Sequence, residues 1–324
     1  MAIALARDLP SWVPQWDDQS ALHNLLGDDV CTYEPFPGVR HEIRFTDDTK
    51  RVLLCEGVIV DTIGSVSKVF EAGDFGSSST AVSDVWVSLP ECEHLGDGSV
   101  ATPLFSTAVQ YRAQKQQQQP QMAINEAGAP RHGEKHEEHD IGAEPALLAF
   151  LETLGAVKKR RYDAPRSEAQ RCADGAAFVV KVYGQGEFGD SGTDAPAEID
   201  TKVIVGDDVH MLAREGQGDE QRWAERVSGG AVGRRFARGE KGWYALVPPA
   251  ARVGDRLVLL EGERTGFVLR DVKEEGKSEG AVEVEKGNKA CWFVGECCVH
   301  GIMDGEVLGM LNDGEVKREV LEIR

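Results

Sequence analysis

Residues that could do chemistry crowd into one stretch of this 324-residue chain, "WFVGECCVHGIMDGEVL", Trp292 to Leu308. Adjacent Cys297 and Cys298 stand beside Glu296, His300 and Asp304. A thiol enzyme would use Cys298 as nucleophile and His300 as base. A hydrolase would use Glu296 and Asp304 as its carboxylates. A zinc centre would need several of these side chains to converge on one ion. A strand places alternate residues on opposite faces, about 7 Å apart along one face. Trp292, Val294, Glu296, Cys298 and His300 then share one face, and Phe293, Gly295, Cys297 and Val299 the other. Cys297 and Cys298 point in opposite directions and cannot share a metal. Cys298 meets His300 only by leaning along the strand. Apolar neighbours suit Cys297 as a buried, inert thiol. After the strand, Gly301 releases the chain and Asp304-Gly305 turns it, with Ile302 and Met303 tucked beneath. The stretch is therefore expected to be a strand and corner with no catalytic residue.

Three further candidates reduce in the same way. His132, His136 and His139 have metal-ligand spacing, but Gly133 stands where H-E-x-x-H needs a glutamate, and no metal is expected. Asp61 follows the apolar run "GVIV" and reads as a strand-end turn residue. Gly184 and Gly186 do not open a helix, so no phosphate-binding loop and no cofactor are expected. The cations of "KKRR" at 158–161 suit a helix end, where the dipole favours positive charge, or a nuclear-import signal.

The chain carries a net charge of −19 and a pI near 4.9. Such a surface repels phosphate backbones and anionic lipid heads, so neither nucleic acid nor membrane is the expected partner. Seven cysteines without a CxxC argue for reduced thiols, hence a cytoplasmic or nuclear setting. No signal peptide or long apolar run is evident.

Four segments organise the chain. Residues 1–70 hold an arm, "LPSWVPQW", whose prolines bar a helix and whose Trp12 and Trp16 serve as anchors. A β-hairpin follows, His41–Phe45 against Arg51–Ile63, with a break near Gly57. Residues 71–143 are linker and low-complexity sequence, read as disordered from about 112. Residues 144–230 carry a helix in "PALLAFLETL", a buried strand in "AAFVVKVYGQG" and a helix in "GDEQRWAERVSGG" with Trp223 as its core anchor. Residues 231–324 show strands at Arg234–Arg238, Trp243–Val247, Arg256–Leu260, Gly266–Asp271 and "CWFVGECCVHG", then "EVKREVLEI". The predicted fold is α+β and β-rich: a small, bent antiparallel barrel packed with the hairpin and a few helices.

Three stretches carry a family resemblance. "LPSWVPQW", "IRFTDDTKRVLLCEGVIVDTI", and "GRRFARGEKGWYALVPPAARVGDRLVLLEGERTGFVLRDV" continued by "WFVGECCVHGIMDGEVL" resemble the region that follows the HET domain in fungal heterokaryon incompatibility proteins. Nothing resembles the HET domain's own opening motif, so the chain looks like the family's C-terminal region without that domain. The resemblance implies a non-enzymatic regulatory or scaffolding module in fungal nonself recognition and programmed cell death. Its contacts would be with a HET domain or another signalling protein. It implies structural or contact roles for Arg234, Arg235, Gly242, Gly254, Asp255, Gly295, Glu296, His300, Gly301, Asp304 and Gly305. One of the two arginines is expected to pair with an acid such as Glu296. Relatives often carry an aromatic residue at position 298, which suits packing. The alternative is a hydrolase or thiol enzyme using Cys298, His300 and Glu296.

Overall fold

A computed structural model describes residues 10–12, 33–39, 44–45, 51–76, 79, 81–89, 93–94, 100–101, 146–155, 168–183, 207–272 and 290–324. Trp16, His132, His136, His139, Gly184, Gly186, the 158–161 cations and the low-complexity loop lie outside the described residues.

The fold is a mixed helix and antiparallel-sheet arrangement, α+β. Its strands are β1 (Arg44–Phe45), β2 (Leu53–Val66), a short pair β3 (Glu93–His94) and β4 (Val100–Ala101), then β5 (Arg235–Gly239), β6 (Tyr244–Val247), β7 (Arg256–Leu260), β8 (Gly266–Asp271), β9 (Ala290–Val299) and β10 (Arg318–Ile323). The helices are α1 (Ala81–Val87), α2 (Ala146–Gly155), α3 (Glu168–Tyr183), α4 (Asp207–Glu215), α5 (Glu220–Ala231) and α6 (Glu306–Asn312). The ladder runs β2-β5-β6-β9-β8-β7, each pair antiparallel, and β7 pairs with β2 again.

β2 and β9 are the long strands. β2 pairs with β7 through Gly57–Thr62 and with β5 through Ile63–Val66, with register shifts after Ile59 and Ile63. Extra residues of this kind bend a strand and let it serve two ladders. β9 does the same, pairing with β8 through Cys291–Cys297 and with β6 through Cys298–Val299. β10 fills the space between their N-terminal halves, antiparallel to β2 and briefly parallel to β9. The expected hairpin is present as β1 against β2, Arg44 opposite Leu54. The expected break near Gly57 is not: β2 runs through it, because the β7 backbone lies so close that only glycine fits opposite it.

The helices build a second layer. Asp219 caps α5 by accepting from the Arg222 amide at 2.9 Å. Trp223, Val227 and Ala231 follow at helical spacing, all fully buried. Trp223 stacks on Phe178 of α3 at 4.1 Å between ring centroids. Phe150 of α2 meets Phe236 of β5 edge-on at 4.8 Å, and Phe236 meets Tyr244 of β6 at 5.1 Å, joining the layers.

Segment 176–183, expected as a buried strand, is the second half of helix α3. A short run rich in Val, Phe and Tyr fits a buried strand and a helix buried on several sides equally well. Here α2, α4 and α5 all pack on α3. The segment read as linker and low-complexity sequence, 71–143, contains a 3-10 turn, Ala72–Phe75, and "AVSDVWV" forms α1.

Candidate functional site

β9 positions the chemistry-bearing stretch. Phe293 pairs with Leu269 and Gly295 with Val268, so β9 carries one extra residue at Val294. Partners of adjacent β8 residues point to opposite faces. Phe293 and Gly295 are thus out of phase, and the single face expected from Trp292 through His300 is broken at this bulge. Glu296, Cys298 and His300 stay in phase beyond it. Both adjacent cysteines are buried. The Cys298 thiol lies 3.8 Å from the Tyr33 hydroxyl. The Cys297 thiol packs against Gly266 of β8, where a methyl would sit 3.0 Å from its sulfur. Burial, reinforced by Cys298, pushes the Cys297 thiol far above its ordinary range, although Arg234 pulls the other way. A thiol so held stays protonated and is a poor nucleophile.

Arg234 is the most deeply buried cation of the site, 2% exposed. Its Nη1 donates to the Glu296 backbone carbonyl at 3.0 Å. The expected contact with Glu296 is therefore made through that residue's main chain. Loss of solvent lowers the guanidinium to about 10, while Cys297, Glu296 and Cys298 draw it back up. The strand itself starts one residue later, at Arg235. Arg235 donates from Nε to the Ser67 carbonyl at 2.6 Å and from Nη1 to the Ala251 carbonyl at 2.9 Å.

Arg235 thereby joins Gly254, Asp255 and Gly295 in fixing one loop, residues 248–255. Asp255, 1% exposed, accepts from Arg270 at 2.7 and 2.8 Å and from the Arg252 amide at 2.9 Å. Arg270 also donates to the Ala250 carbonyl at 2.9 Å. Pro248 closes the loop against Gly295, where a methyl would come within 3.1 Å of it. Arg270 was not among the expected residues. The β7–β8 register pairs Arg256 with Leu269, which brings Asp255 opposite Arg270, so hairpin pairing alone could have found it.

His300, Gly301, Asp304 and Gly305 form the second cluster, the corner after β9. The His300 amide donates to the Tyr244 carbonyl at 2.9 Å, and the Asp304 amide donates to Glu306 Oε2 at 2.8 Å. Gly305 has φ +101°, a left-handed conformation that favours glycine, and begins helix α6. That helix was not expected, because seven residues give too few turns for a periodic signal. Residues 33–39 lie across this corner. The Glu34 amide donates to the Met303 carbonyl at 3.0 Å, Phe36 is 2% exposed within the main core, and Pro37 covers Gly305 at 3.1 Å from where a methyl would be.

Gly242 belongs to a third place, the turn between β5 and β6, where its amide donates to the Gly239 carbonyl at 3.0 Å. Asp61 of β2 organises that turn by accepting from the Thr62 amide at 2.7 Å and the Lys241 amide at 3.0 Å. Burial raises its pKa, against these donors. Asp61, expected at a strand end, instead lies within β2, and the turn it organises belongs to the β5–β6 hairpin. Trp12 anchors on this chain's own sheet: its ring is 6.0 Å from Phe45 and its indole N–H reaches the Arg51 carbonyl at 3.4 Å. Beside it the Ser11 amide bonds the Arg324 carbonyl, and Ser11 Oγ accepts from the Phe293 amide at 2.9 Å.

The site residues thus fall into a loop, a corner and a turn. An open groove of about 730 Å³ lies elsewhere, between α3, α4 and the start of α5, lined by Lys181, His210, Met211, Arg214 and Glu220 among others. Among the described residues no three His, Cys, Asp or Glu side chains group as a metal site, and no helix is long and apolar enough to cross a membrane. No protein-family model, no curated protein and no solved structure matches the chain.

Proposed function

We propose that this chain is a non-enzymatic protein-contact module, the post-HET-domain region of a heterokaryon-incompatibility-like protein, acting in fungal nonself recognition and programmed cell death. One observation carries the reading. The stretch that resembles the family's C-terminal signature is occupied by upstream chain, with Tyr33 on Cys298, Glu34 on Met303 and Pro37 on Gly305. A signature stretch engaged in this way serves attachment. The buried, protonated Cys297 thiol and the backbone duties of Arg234, Arg235 and Asp255 favour the same role over thiol or hydrolytic chemistry. The ring of antiparallel pairings, with β2 and β9 bent between ladders, supports reading the sheet as a small bent barrel that presents this surface. Its partner would be a HET domain or another signalling protein in the cytoplasm or nucleus, and its acidic surface argues against nucleic acid and membrane.

Titration calorimetry of the purified chain against a separately expressed HET domain of the same organism tests the proposal. Saturable association with a Kd below about 10 μM is expected. No heat at that concentration, from two folded proteins, would sink it.

A further inference from the structure

We propose that the corner formed by the end of β9 and the start of α6 is a peptide-binding site for an aromatic–proline turn, held closed in this chain by its own residues 33–39. The inference deepens the contact-module reading and rests on it.

The bound segment displays the chemistry of the ligand. "YEPFPGV" contributes no residue to the sheet or to any helix. Its prolines fix φ on either side of Phe36, and a β-turn with Gly38 at φ +76° closes its end, which reduces the entropy lost on docking. Between them Phe36 inserts into the core that also holds Met303, Val307 and Met310. One backbone hydrogen bond, Glu34 N–H to the Met303 carbonyl, sets the register. At its two ends Tyr33 meets Cys298 and Pro37 meets Gly305. The segment's own polar groups are partly satisfied locally, with the Val39 amide on the Phe36 carbonyl and the Gly38 amide near Glu34 Oε1. A buried aromatic between prolines, with main-chain bonding outside any ladder, is how grooves take peptides, whereas a structural strand would be tied by a ladder.

A segment that lies outside every ladder and helix belongs to the part of a fold that opens first. While it is docked, a partner's segment of the same type must displace it. Its apparent affinity falls by the fraction of time the site is closed.

The test uses the full chain and the synthetic peptide Tyr33–Val39, with thiol labelling at Cys298 followed residue by residue by mass spectrometry. Cys298 is covered by Tyr33, so its labelling reports whether the site is filled. In the wild-type chain, excess peptide with its tyrosine replaced by alanine is expected to speed Cys298 labelling. Labelling of Cys55 and Cys291 should stay unchanged. Phe36→Ala should release the internal segment and bind fluorescent peptide at least about tenfold tighter than wild type does. If Phe36→Ala does not fold, the wild-type arm alone decides. Cys298 labelling that ignores the peptide, or a folded Phe36→Ala chain that does not bind it, would overturn the proposal. Loss of HET-domain association with peptide binding intact would instead count against the family reading alone.

Discussion

Asp61 in the sheet layer and Asp174 in the helical layer are equally buried, at 2% exposure, yet they are held in opposite ways. Asp61 accepts from neutral backbone amides of Thr62 and Lys241. Asp174 is clasped by Arg222, with Gln170 at 3.2 Å and the Asp219 amide at 3.1 Å. At Asp61 burial dominates and the pKa rises. At Asp174 burial also pushes upward, but the hydrogen bonds from Arg222, Gln170 and Asp219 outweigh it and the pKa falls. The sheet layer thus uses a carboxylate to shape a turn, and the helical layer uses one to neutralise a cation between helices. Neither carboxylate lines the groove between α3 and α4.

The largest expected effect combines both modes. Asp255 pairs with Arg270, itself only 13% exposed at its side chain, and also holds the Arg252 amide. Asp255→Ala strands that cation and should cost roughly 3–5 kcal/mol in urea unfolding. A loss under about 1 kcal/mol would mean that solvent reaches the pair. Next comes Gly239→Ala. An added methyl there would overlap the Asp61 carboxylate, and about 3 kcal/mol of destabilisation is expected from overpacking. The double variant Gly239→Ala/Asp61→Ala should recover part of it if the clash is the cause.

Asp174→Asn should cost less, about 2 kcal/mol, because Arg222 is 29% exposed and water partly replaces its partner. The damage should be local, with hydrogen exchange faster in α3 and α5 and unchanged in β7 and β8. Equal acceleration in both layers would show them to unfold as one unit. The smallest effect is the most diagnostic of the contrast. Asp61, raised in the fold, contributes stability below the ordinary aspartate pKa of about 4 and loses it as pH rises through its folded value. Asp174, lowered, contributes above that ordinary value and loses it as pH falls through its folded value. Asp61→Asn should therefore steepen the acid loss of stability, and Asp174→Asn should flatten it. Urea midpoints between pH 2 and pH 6, at about one-unit steps, would read the two slopes, and equal slopes would erase the distinction.

The same contrast explains what could be read in the sequence. β5 through β9 stand within a residue or two of their expected places, because "GEK", "GER" and "VGD" put turn residues at short intervals between alternating runs. The glycines of the corner were legible for the same reason: their duties are local. Asp61 was read as a turn residue, but the turn it holds, at Lys241, lies 180 residues away, and its place within β2 was not legible. The helical layer was less legible. Asp174 and Arg222 lie 48 residues apart and no local pattern couples them. "AAFVVKVY" has strand-like composition, and only the helices packed around it make it helical. At the site, the bulge at Val294 displaced the predicted face, since one extra residue leaves no mark on composition. The docking of 33–39 on the corner was invisible too, because it joins residues more than 260 apart through one thiol, one carbonyl and one glycine.

The central claim is that the cysteine-histidine stretch is an attachment surface rather than a reactive centre. Native-state labelling of Cys297 and Cys298 in the wild-type chain, followed across pH 6 to about 10, tests it most directly. The account predicts slow modification of both, with Cys297 labelled only after denaturation. Rapid modification of Cys298 with a thiolate forming below the ordinary cysteine range would contradict it.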